Sequence, residues 1–529
     1  MSDTGAAEST WAPLRFGVFR ALWLAVLVSN IGSWMQTVGA QWLLVHQPHA
    51  AILVSLVQTA DYVPDLLFGL VGGVLADSFD RRRLLLVVQV CLFGAGVALA
   101  VLTVAGQMPP ALLLTFTFLL GTGSVLTLPA YQSLVPDLVS RPQLRSASVL
   151  SSLGINLARV VGPAIAGVVI AGAGVGAVFA LNAAAYLVFV FVLLAWRPSA
   201  PATPRLPERF ISALRAGGRY VRYAPIVRRL LSRSAFFLVP GSALWSLLPL
   251  IASRRLGQGA AGYGLLLAAL GIGAVIGALV LGRVRARLSV NVLLAAAGIV
   301  FAGVLAAVVL VGSAIVILIV LLPAGMAWMA FISTINAELQ LFLPAWVRAR
   351  GLSIYQMVLF GSQAFGAVLW GLLADPFGLV PTFLAAAVLM AVGVATMRFW
   401  PLAETAAMDR STVQYWPEPN LALDPDPSSG PVVVETVYTV VPEHETRFLE
   451  AMGGVRLLRL RTGATQWGLY RDGETANQFV ELFVVLSWDE HMRQHAERLT
   501  GADRQIQERA AKLSDPPPKT SHLISVEPD

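Results

Sequence analysis

Twelve long apolar segments limit what this chain can fold into. Each is about twenty residues or longer, which is the length that a helix needs to cross a bilayer. They cover residues 17–45, 51–76, 83–105, 110–139, 144–171, 175–196, 230–253, 260–282, 289–311, 313–343, 347–374 and 378–400. A chain that is 57% hydrophobic and only 13% charged cannot hide so much apolar surface in a water-soluble core. We therefore predict an all-α polytopic membrane protein.

Arginine is distributed unevenly between the loops. Those that follow even-numbered segments are basic, and residues 197–233 contain nine arginines against one acid, Glu208. The other basic positions are Arg81, Arg82, Arg83, Arg141, Arg145, Arg283, Arg285, Arg287, Arg348, Arg350 and Arg398. The loops on the opposite side carry almost no basic charge, with Arg254 and Arg255 as the exception. Because basic loops stay in the cytoplasm, we predict that both termini and the central loop are cytoplasmic.

The chain divides into two halves and a tail. "YQSLVPDLVSRPQLRSASVL" from Tyr131 corresponds weakly to "NAELQLFLPAWVRARGLSIY" from Asn336, as in duplicated transporters. The predicted domains are an N-terminal six-helix bundle (1–196), a cytoplasmic central loop (197–229), a C-terminal six-helix bundle (230–400), a linker (401–430) and a cytoplasmic α+β domain (431–529). The last region has the pattern β-α-β-β-α-β, which predicts a small ferredoxin-like domain.

A charged turn lies between the second and third segments, in "GGVLADSFDRRRLLL". It resembles the signature loop of the major facilitator superfamily. The matching positions are Gly73, Asp77, Arg81 and Arg82, and the departures are Ser78 and Asp80. The resemblance implies a twelve-helix major facilitator fold in which Asp77 and the arginines latch the two halves, with Asp137 as the partner of Arg81. The alternative is that the arginines only set topology.

Two further stretches resemble a subgroup of that superfamily. "NLARVVGPAIAG" is similar to the Gly-Pro motif of exporters, at Gly162, Pro163 and Gly167. The tail stretches "RTGATQWGLYRDG" and "LSWDEHMRQHAERLTGAD" resemble the enterobactin-exporter-like group, also called transmembrane secretion effectors. The resemblance implies a transporter of the drug:proton antiporter type. We expect the Gly-Pro motif to form a helix contact, because small residues let backbones approach closely in lipid.

Two aspartates lie inside the second apolar segment, where charge is costly. Asp61 and Asp65 in "QTADYVPDLL" share one helix face. At ~1.5 Å per residue, Asp65 lies about 18 Å from Asp77, near the middle of a ~30 Å hydrocarbon core. Two close carboxylates in a low dielectric tend to share a proton. We predict that the pair couples transport to proton entry, mainly through Asp65; the alternative is that Asp61 is solvated in an outer vestibule.

Two other charges also fall within apolar segments. Arg159 lies ~21 Å along its helix from Arg145 and stays protonated. It therefore pairs with an aspartate of the second segment, binds an anionic substrate or forms a structural ion pair. Glu338 is predicted as a second proton site or a gate residue, or alternatively as a lining charge.

A central cavity is predicted from polar and aromatic positions in several segments. Trp34, Thr37 and Gln41 share one face of the first segment. The full set of predicted cavity residues is Trp34, Thr37, Gln41, Arg159, Tyr355, Gln356 and Gln363. For most aromatic residues in a membrane helix the alternative is packing or headgroup anchoring.

Motifs for metals, cofactors and catalysis are few. His491 and His495 are one helical turn apart, but no third ligand stands in an obvious motif, so we predict no metal site and no cofactor. The sequence has no "GxxxxGK[ST]" loop, nucleophile elbow or metalloprotease motif. We therefore predict neither an ATP-driven pump nor an enzyme.

These patterns together predict a secondary active transporter of the bacterial cytoplasmic membrane. It would export small amphiphilic molecules (a drug, siderophore or metabolite) by proton antiport and alternating access. The expected partners are the substrate, protons and the lipid bilayer, without nucleic acid; self-association through the C-terminal domain is left open. The alternatives are an importer or facilitator of the same fold, and a membrane ligand sensor that signals through the C-terminal domain.

Overall fold

The computed structural model describes residues 11–196, 210–402, 408–413, 421–423 and 425–526. The side chains of residues 70–78, 137, 141 and 210–216 lie outside the description. The chain forms two compact units. The first consists of Met1–Pro207, Ser232–Thr334 and Gln356–Pro401, and the second of Glu208–Leu231, Ile335–Tyr355 and Leu402–Asp529.

Helices make up almost all of the described chain before residue 401. In chain order they are α1 (Gly17–Leu44), α2 (Ala50–Ser78), α3 (Arg81–Val104), α4 (Pro110–Leu138), α5 (Leu144–Ala195), α6 (Phe210–Tyr223), α7 (Pro225–Leu250), α8 (Ala260–Arg285), α9 (Val290–Leu310), α10 (Ala314–Phe342), α11 (Ala345–Phe377) and α12 (Leu379–Phe399). Among the described residues, eleven of these helices, all except α6, are long and apolar enough to cross a membrane. The prediction of a multi-pass, mostly helical membrane protein is confirmed.

Helix α5 contains two of the predicted segments. It has 52 residues, and a continuous helix of that length would measure about 78 Å, more than twice the ~30 Å hydrocarbon core. Gly174 interrupts it with φ +79° and ψ 172°, a conformation that glycine adopts without steric cost. The predicted segments 144–171 and 175–196 therefore lie on either side of Gly174. The eleven helices thus hold all twelve predicted segments.

The segment between α5 and α7, predicted as a loop, contains the short helix α6. Its sequence, FISALRAGGRYVRY, alternates apolar and basic residues at helical spacing. The pattern is short and carries two adjacent glycines, which lower helix propensity, so the sequence alone does not predict helix α6. Its last residues are well packed, because Tyr220 is 2% exposed and lies against Trp346 with ring centroids 5.7 Å apart.

Close helix packing in the first unit depends on small residues. Helix α1 lies along α5, and a Cβ on Gly32 would stand 3.2 Å from the Cα of Asn182. Asn182 donates a hydrogen bond of 2.6 Å to the Oε1 atom of Gln36, so the same crossing buries a hydrogen-bonded polar pair. A cluster of buried apolar side chains, including Phe19, Leu22 and Phe189, surrounds one end of this contact.

The tail forms a small α+β domain. Its elements are β1 (Val432–Thr439), α13 (Glu445–Thr462), β2 (Gln466–Arg471), β3 (Gln478–Val485), α14 (Trp488–Ala496), α15 (Gly501–Ala511) and β4 (Lys519–Ile524). The four strands form an antiparallel sheet in the order β2-β3-β1-β4. A small C-terminal sheet is thereby confirmed, and the ferredoxin-like identity of this domain stays a prediction.

The core of this domain includes a buried ion pair. Glu481 in β3 is fully buried and accepts hydrogen bonds from Arg459 at 2.9 and 3.3 Å, Trp467 at 2.9 Å and Tyr438 at 3.1 Å. Strand β1 buries every second residue against this core. The alternation explains why the strand was recognisable in the sequence.

Candidate functional site

The two aspartates of the second segment lie on α2, in the first unit. Both carboxylates are half-buried, and Pro64 between them is buried. Helix α4 approaches this turn closely, since a Cβ on Gly121 would lie 3.1 Å from the carbonyl oxygen of Asp61. Neither Asp61 nor Asp65 forms a salt bridge with a side chain that the structure describes. The sequence-predicted pair is thus close to other helices but lacks a described countercharge.

Tyr62 connects this turn of α2 with α11. Its ring lies 5.6 Å from that of Phe360, and its hydroxyl accepts a hydrogen bond of 3.1 Å from Gln58. One turn further on, a Cβ on Gly361 would lie 3.5 Å from the side chain of Leu66. The carboxylates therefore stand beside the line where the first half of the helices meets the second.

Arg159 packs against an aromatic ring. Its guanidinium carbon lies 5.7 Å from the centroid of Trp34, which is the range of a cation–π contact. Its Nε atom is buried and has no hydrogen-bond partner among the described residues. No described salt bridge joins Arg159 to Asp61 or Asp65. A charge in this position, without a described carboxylate partner, is available to an anionic group.

An aromatic cluster extends from Trp34 into the second half of the helices. The centroids of Trp34 and Trp245 are 6.2 Å apart, and those of Trp245 and Trp328 are 5.4 Å apart. Phe237 packs at 5.7 Å from Trp328. The indole nitrogen of Trp245 is buried without a hydrogen-bond partner among the described residues. An unsatisfied indole N–H in an aromatic cluster is a group that a polar ligand atom can satisfy.

The other predicted cavity residues of α1 make different contacts. Thr37 donates a hydrogen bond of 3.2 Å to the carbonyl of Ser33 within its own helix. Gln41 is 2% exposed, accepts a hydrogen bond from Tyr263 and donates one of 3.5 Å to the carbonyl of Trp245. Gln41 therefore joins α1 to α7 and α8.

The predicted residues in the second half are dispersed. Gln363 is buried and bonds to the carbonyl of Leu359 in its own helix at 3.4 Å, while Gln356 is exposed. Tyr355 is 1% exposed, and its hydroxyl has no partner among the described residues. Glu338 is half-buried in α10. Tyr355 and Glu338 belong to the second unit, whereas the α2 carboxylates belong to the first.

A polar cavity within the first half escaped the sequence analysis. Its volume is about 80 Å³, and it is lined by α1, α3, α4 and α5. Its polar lining consists of Ser29, Asn30, Ser33, Gln89, Ser124, Thr127, Tyr131, Gln132, Ser151 and Tyr186. Gln89 and Thr127 hydrogen-bond across it at 3.1 Å. Single hydroxyl and amide side chains scattered through apolar segments were the available signal, and their convergence depends on how each helix is rotated.

Several contacts between the halves lie in the parts of α2 and α11 that are remote from the charged turn. His49 Nδ1 lies 2.6 Å from Asp375 Oδ2. A Cβ on Gly371 would overlap the Ser55 hydroxyl. The hydroxyl of Thr59 donates to the carbonyl of Ala364 at 3.3 Å. Helix α11 is thus in contact with α2 from Ser55 to Leu66 and with His49, which directly precedes α2.

The Gly-Pro motif of α5 lies at two helix contacts. A Cβ on Gly162 would stand 2.6 Å from that of Trp34, and one on Gly167 would stand 2.8 Å from the carbonyl of Ala260. From the other side, a Cβ on Gly264 would lie 2.5 Å from the carbonyl of Pro163. Close backbone approach of α5 to α1 and α8 therefore requires these glycines.

The basic residues of the charged turn bind backbone carbonyls of the first half. Arg81 donates to Ser133 at 2.8 Å, and Arg82 donates to Leu193 and Leu194 at 2.9 and 3.2 Å. A cation at the last carbonyls of a helix such as α5 is stabilising. The other predicted latch positions, Gly73, Asp77 and Asp137, lie outside the described side chains.

Comparison with known proteins connects this geometry to a family. The family model described as transmembrane secretion effector matches residues 8–529. The staphyloferrin A transporter of Staphylococcus aureus is 26% identical over 355 residues, which cover 67% of this chain and 88% of that protein. The enterobactin exporter of Shigella boydii serotype 4 is 29% identical over 256 residues, which cover 48% of this chain and 60% of the exporter.

Two solved transporters are similar in fold. A bacterial homologue of the human lysosomal transporter Spinster, in an inward-facing and occupied conformation, gives a TM-score of 0.59 at 16% identity and covers 73% of this chain and 97% of its own. The nucleoside transporter NupG gives a TM-score of 0.59 at 12% identity, and the match covers 72% of this chain and 100% of NupG. At these identities the likeness concerns the fold, and it supports a major facilitator architecture for the helical part.

Proposed function

The chain belongs to the transmembrane secretion effector family of the major facilitator superfamily, and from this premise we propose that it exports small amphiphilic molecules by proton antiport. It is a multi-pass membrane transporter and not an enzyme. Among drugs, siderophores and other metabolites, siderophores are favoured as the substrate class. The names of the two relatives refer to staphyloferrin A and enterobactin, and both are siderophores.

The observation that carries proton coupling is the pair Asp61 and Asp65. Two carboxylates one turn apart, without a described countercharge, lie inside a helix that crosses the membrane. Such groups are costly in lipid and usually mark an ion pathway. A single proton shared between them removes half of the negative charge of the pair. We assign the proton-carrying role mainly to Asp65, with Glu338 as a second proton site or gate.

The binding site is assigned to the aromatic cluster and Arg159. The rings of Trp34, Trp245 and Trp328, of which the last two are 7% exposed, would supply an apolar wall for an amphiphilic molecule, and the guanidinium would supply a partner for its anionic group. This combination suits a substrate with an apolar body and a carboxylate or similar acid. Thr37, Gln41, Gln356 and Gln363, all in the first unit, complete the proposed lining, and the assignment of Tyr355 stays a prediction from the sequence.

Alternating access is supported by where the halves touch. The contacts of Ser55 and Thr59 with α11 lie in the part of α2 that precedes the carboxylates, and the contact of His49 lies directly before α2. With both termini in the cytoplasm of a bacterium and the protein in its inner membrane, this part faces outward. A closed outer side corresponds to an inward-facing state, from which the halves rock to release substrate outside.

Two assignments from the sequence complete the proposal. Asp77 with Arg81, Arg82 and Asp137 would latch the halves in the outward-facing state, and Gly73 allows the close turn. The tail would adopt the ferredoxin-like fold, with which its strand order β2-β3-β1-β4 agrees. An importer of the same fold would use the same site in the reverse direction.

Everted membrane vesicles test direction and coupling together. A catecholate siderophore or an amphiphilic fluorescent dye is supplied outside vesicles whose interior is acidic. Export appears as accumulation inside, and it should stop when an ionophore collapses the pH gradient. Accumulation that survives collapse of the gradient contradicts antiport, and movement only in the opposite direction makes the protein an importer.

A ligand sensor is a second candidate function, and one group of contacts favours it. Glu490 in the tail binds Arg219 of α6 at 3.2 Å and Arg498 at 2.7 and 2.8 Å. The guanidinium of Arg498 lies 4.8 Å from the ring centroid of Trp346 in α11. The tail is therefore attached to transporter helices within the second unit. Substrate-dependent protease protection of the tail, without any flux, would favour the sensor.

A further inference from the structure

Three histidines converge in the C-terminal domain. His491 and His495 lie one turn apart on α14, and His522 lies on β4 opposite Val434 of β1. Their candidate ligand nitrogens all lie within 4.8 Å of one another. The ring centroid of His491 is 4.6 Å from that of His495 and 4.9 Å from that of His522. The sequence motif was incomplete because the third imidazole comes from a different element of the fold.

The imidazole at the centre of the cluster is buried without partners. His491 is 1% exposed, and neither of its ring nitrogens has a hydrogen-bond partner among the described residues. The Nε2 atom of His522 is also buried without one. Buried polar atoms in native proteins are almost always satisfied, so the unsatisfied nitrogens on His491 and His522 point to a missing ligand that would take one nitrogen of each ring.

All three rings carry the lone pairs that a metal needs. Burial and the neighbouring imidazoles lower the pKa of His491 to about 2, and burial with the same kind of crowding lowers the pKa of His495 to about 4. Burial also lowers the pKa of His522. A metal ion binds the neutral form of histidine, so no proton has to be removed at neutral pH.

The charges around the cluster would not repel a bound cation. Arg459 lies nearby, but its guanidinium is paired with the buried Glu481 at 2.9 and 3.3 Å. The imidazoles also face the rings of Trp488 and Phe483, which are uncharged. Asp426 contributes the one carboxylate among the described residues that line the adjacent groove. An added divalent cation therefore meets a near-neutral pocket.

The cluster opens into a groove of about 1200 Å³ between the sheet and the described parts of residues 421–429. Besides the histidines it is lined by apolar side chains of β1, β3 and β4, including Val434, Phe483 and Leu523. A metal held by three histidines on the protein side would keep its next coordination position toward this groove. That arrangement suits water or a donor atom of a small molecule.

We propose that His491, His495 and His522 form a binding site for a divalent transition metal of the Zn²⁺ class, with an open coordination position facing the groove. Three imidazole ligands suit Zn²⁺, Cu²⁺, Ni²⁺ and Fe²⁺ and do not suit Mg²⁺, which requires oxygen ligands. Nitrogens bound to one Zn²⁺ at ~2.0–2.1 Å must lie closer together than 4.8 Å. The side chains therefore have to contract slightly around the ion.

The test uses the full chain, purified in detergent with an affinity tag that contains no histidine and stripped with a chelator. Titration with Zn²⁺ should show one ion per chain, and Mg²⁺ should not compete. Bound Co²⁺ should give a visible ligand-field spectrum that Zn²⁺ abolishes. His522→Gln and His495→Gln should each lower Zn²⁺ affinity by about 100-fold or more, because even outer-shell changes cost 10–100-fold.

His444→Gln is the matched control, since His444 is an exposed histidine of the same domain outside the cluster. It should leave Zn²⁺ binding unchanged. Circular dichroism shows whether each variant is folded. If a variant does not fold, the Zn²⁺ stoichiometry and the Co²⁺ spectrum of the wild-type chain still show whether the site binds a metal. A wild-type chain that binds no stoichiometric Zn²⁺ overturns the proposal, as do folded H522Q and H495Q variants that bind as tightly as wild type.

Discussion

The guanidinium carbon of Arg159 lies 5.7 Å from the ring centroid of Trp34, and this contact joins α5 to α1 in the middle of the helical unit. Arginine cannot lose its proton, so the contact holds a permanent charge beside an aromatic surface. Among described residues neither α2 aspartate pairs with it. The opposite charges of this unit are thus held separately, with no described salt bridge between them.

The first prediction concerns Trp34. We expect Trp34→Leu to reduce efflux roughly tenfold, since a desolvated cation–π contact contributes about 1–2 kcal/mol. Trp34→Phe is the matched control and should keep most of the activity, because it retains an aromatic face. Initial rates in everted vesicles, normalised to protein amount, measure both. If W34L transports at the wild-type rate, the contact between Arg159 and Trp34 is not needed for transport.

The second prediction separates proton coupling from binding. Asp65→Asn keeps the shape of the side chain but cannot carry the transported proton, so we expect proton-driven efflux to stop while ligand binding stays measurable. Asp65→Glu keeps the carboxylate and should retain part of the efflux. Flux in everted vesicles and quenching of tryptophan fluorescence on ligand binding are measured on the same preparations. Full proton-driven transport by D65N would refute the assigned role.

The third prediction concerns the crossing of α5 and α8. A Cβ on Gly264 would lie 2.5 Å from the carbonyl of Pro163, so Gly264→Ala forces the backbones apart. Overpacking of this kind costs about 1–3 kcal/mol. Thermal unfolding in detergent should therefore start at a lower temperature than for wild type.

Gly172→Ala provides the control for that crossing. Gly172 also lies in α5, but nothing stands within 4 Å of a Cβ placed there. This variant should be as stable as wild type or slightly more stable, because alanine favours a helix over glycine by roughly 0.5–1 kcal/mol. Equal melting temperatures for G264A and G172A would show that the crossing tolerates a wider separation.

The fourth prediction concerns the attachment of the tail to α6. Glu490→Gln removes the carboxylate that Arg219 and Arg498 share, and these guanidinium groups are 19% and 6% exposed. Leaving a largely buried charge without its partner costs about 3 kcal/mol or somewhat less at this partial exposure. We expect the tail to become sensitive to limited proteolysis in the full chain.

Asp489→Asn is the control for this variant. Asp489 pairs with Arg493 on the surface of the same helix, and both side chains are about half exposed. Exposed pairs contribute about 0.2–1 kcal/mol, so proteolysis should proceed as in wild type. A tail that is equally protected in E490Q and D489N would mean that other contacts hold it to α6.

Several parts of the structure were predictable from residues taken in order along the chain. The membrane segments follow from the thickness of the bilayer, which demands about twenty apolar residues wherever the chain crosses. Strand β1 follows from its alternation, since side chains of a strand point to opposite faces. The pair Asp61 and Asp65 follows from helical spacing, because four residues return to the same face of α2.

Other features depended on where distant segments meet. The sequence predicts a break between segments 144–171 and 175–196, but only the structure shows that it consists of a single residue, Gly174, with a positive φ. The polar cavity requires Gln89 and Thr127 to face each other from α3 and α4. In helices surrounded by lipid the outward and inward faces are both apolar, so hydropathy says little about their rotation.

The sequence by itself determined that this chain crosses a membrane many times, that charges interrupt it at a few costly positions, and that an α+β tail follows. Local spacing and apolar length decide such features, because the bilayer acts on each segment separately. Only the tertiary structure decided that Arg159 faces Trp34, that Glu490 is bound by Arg219 and that His522 joins His491. These contacts join residues far apart in the chain, and their geometry exists only once the helices and strands have packed.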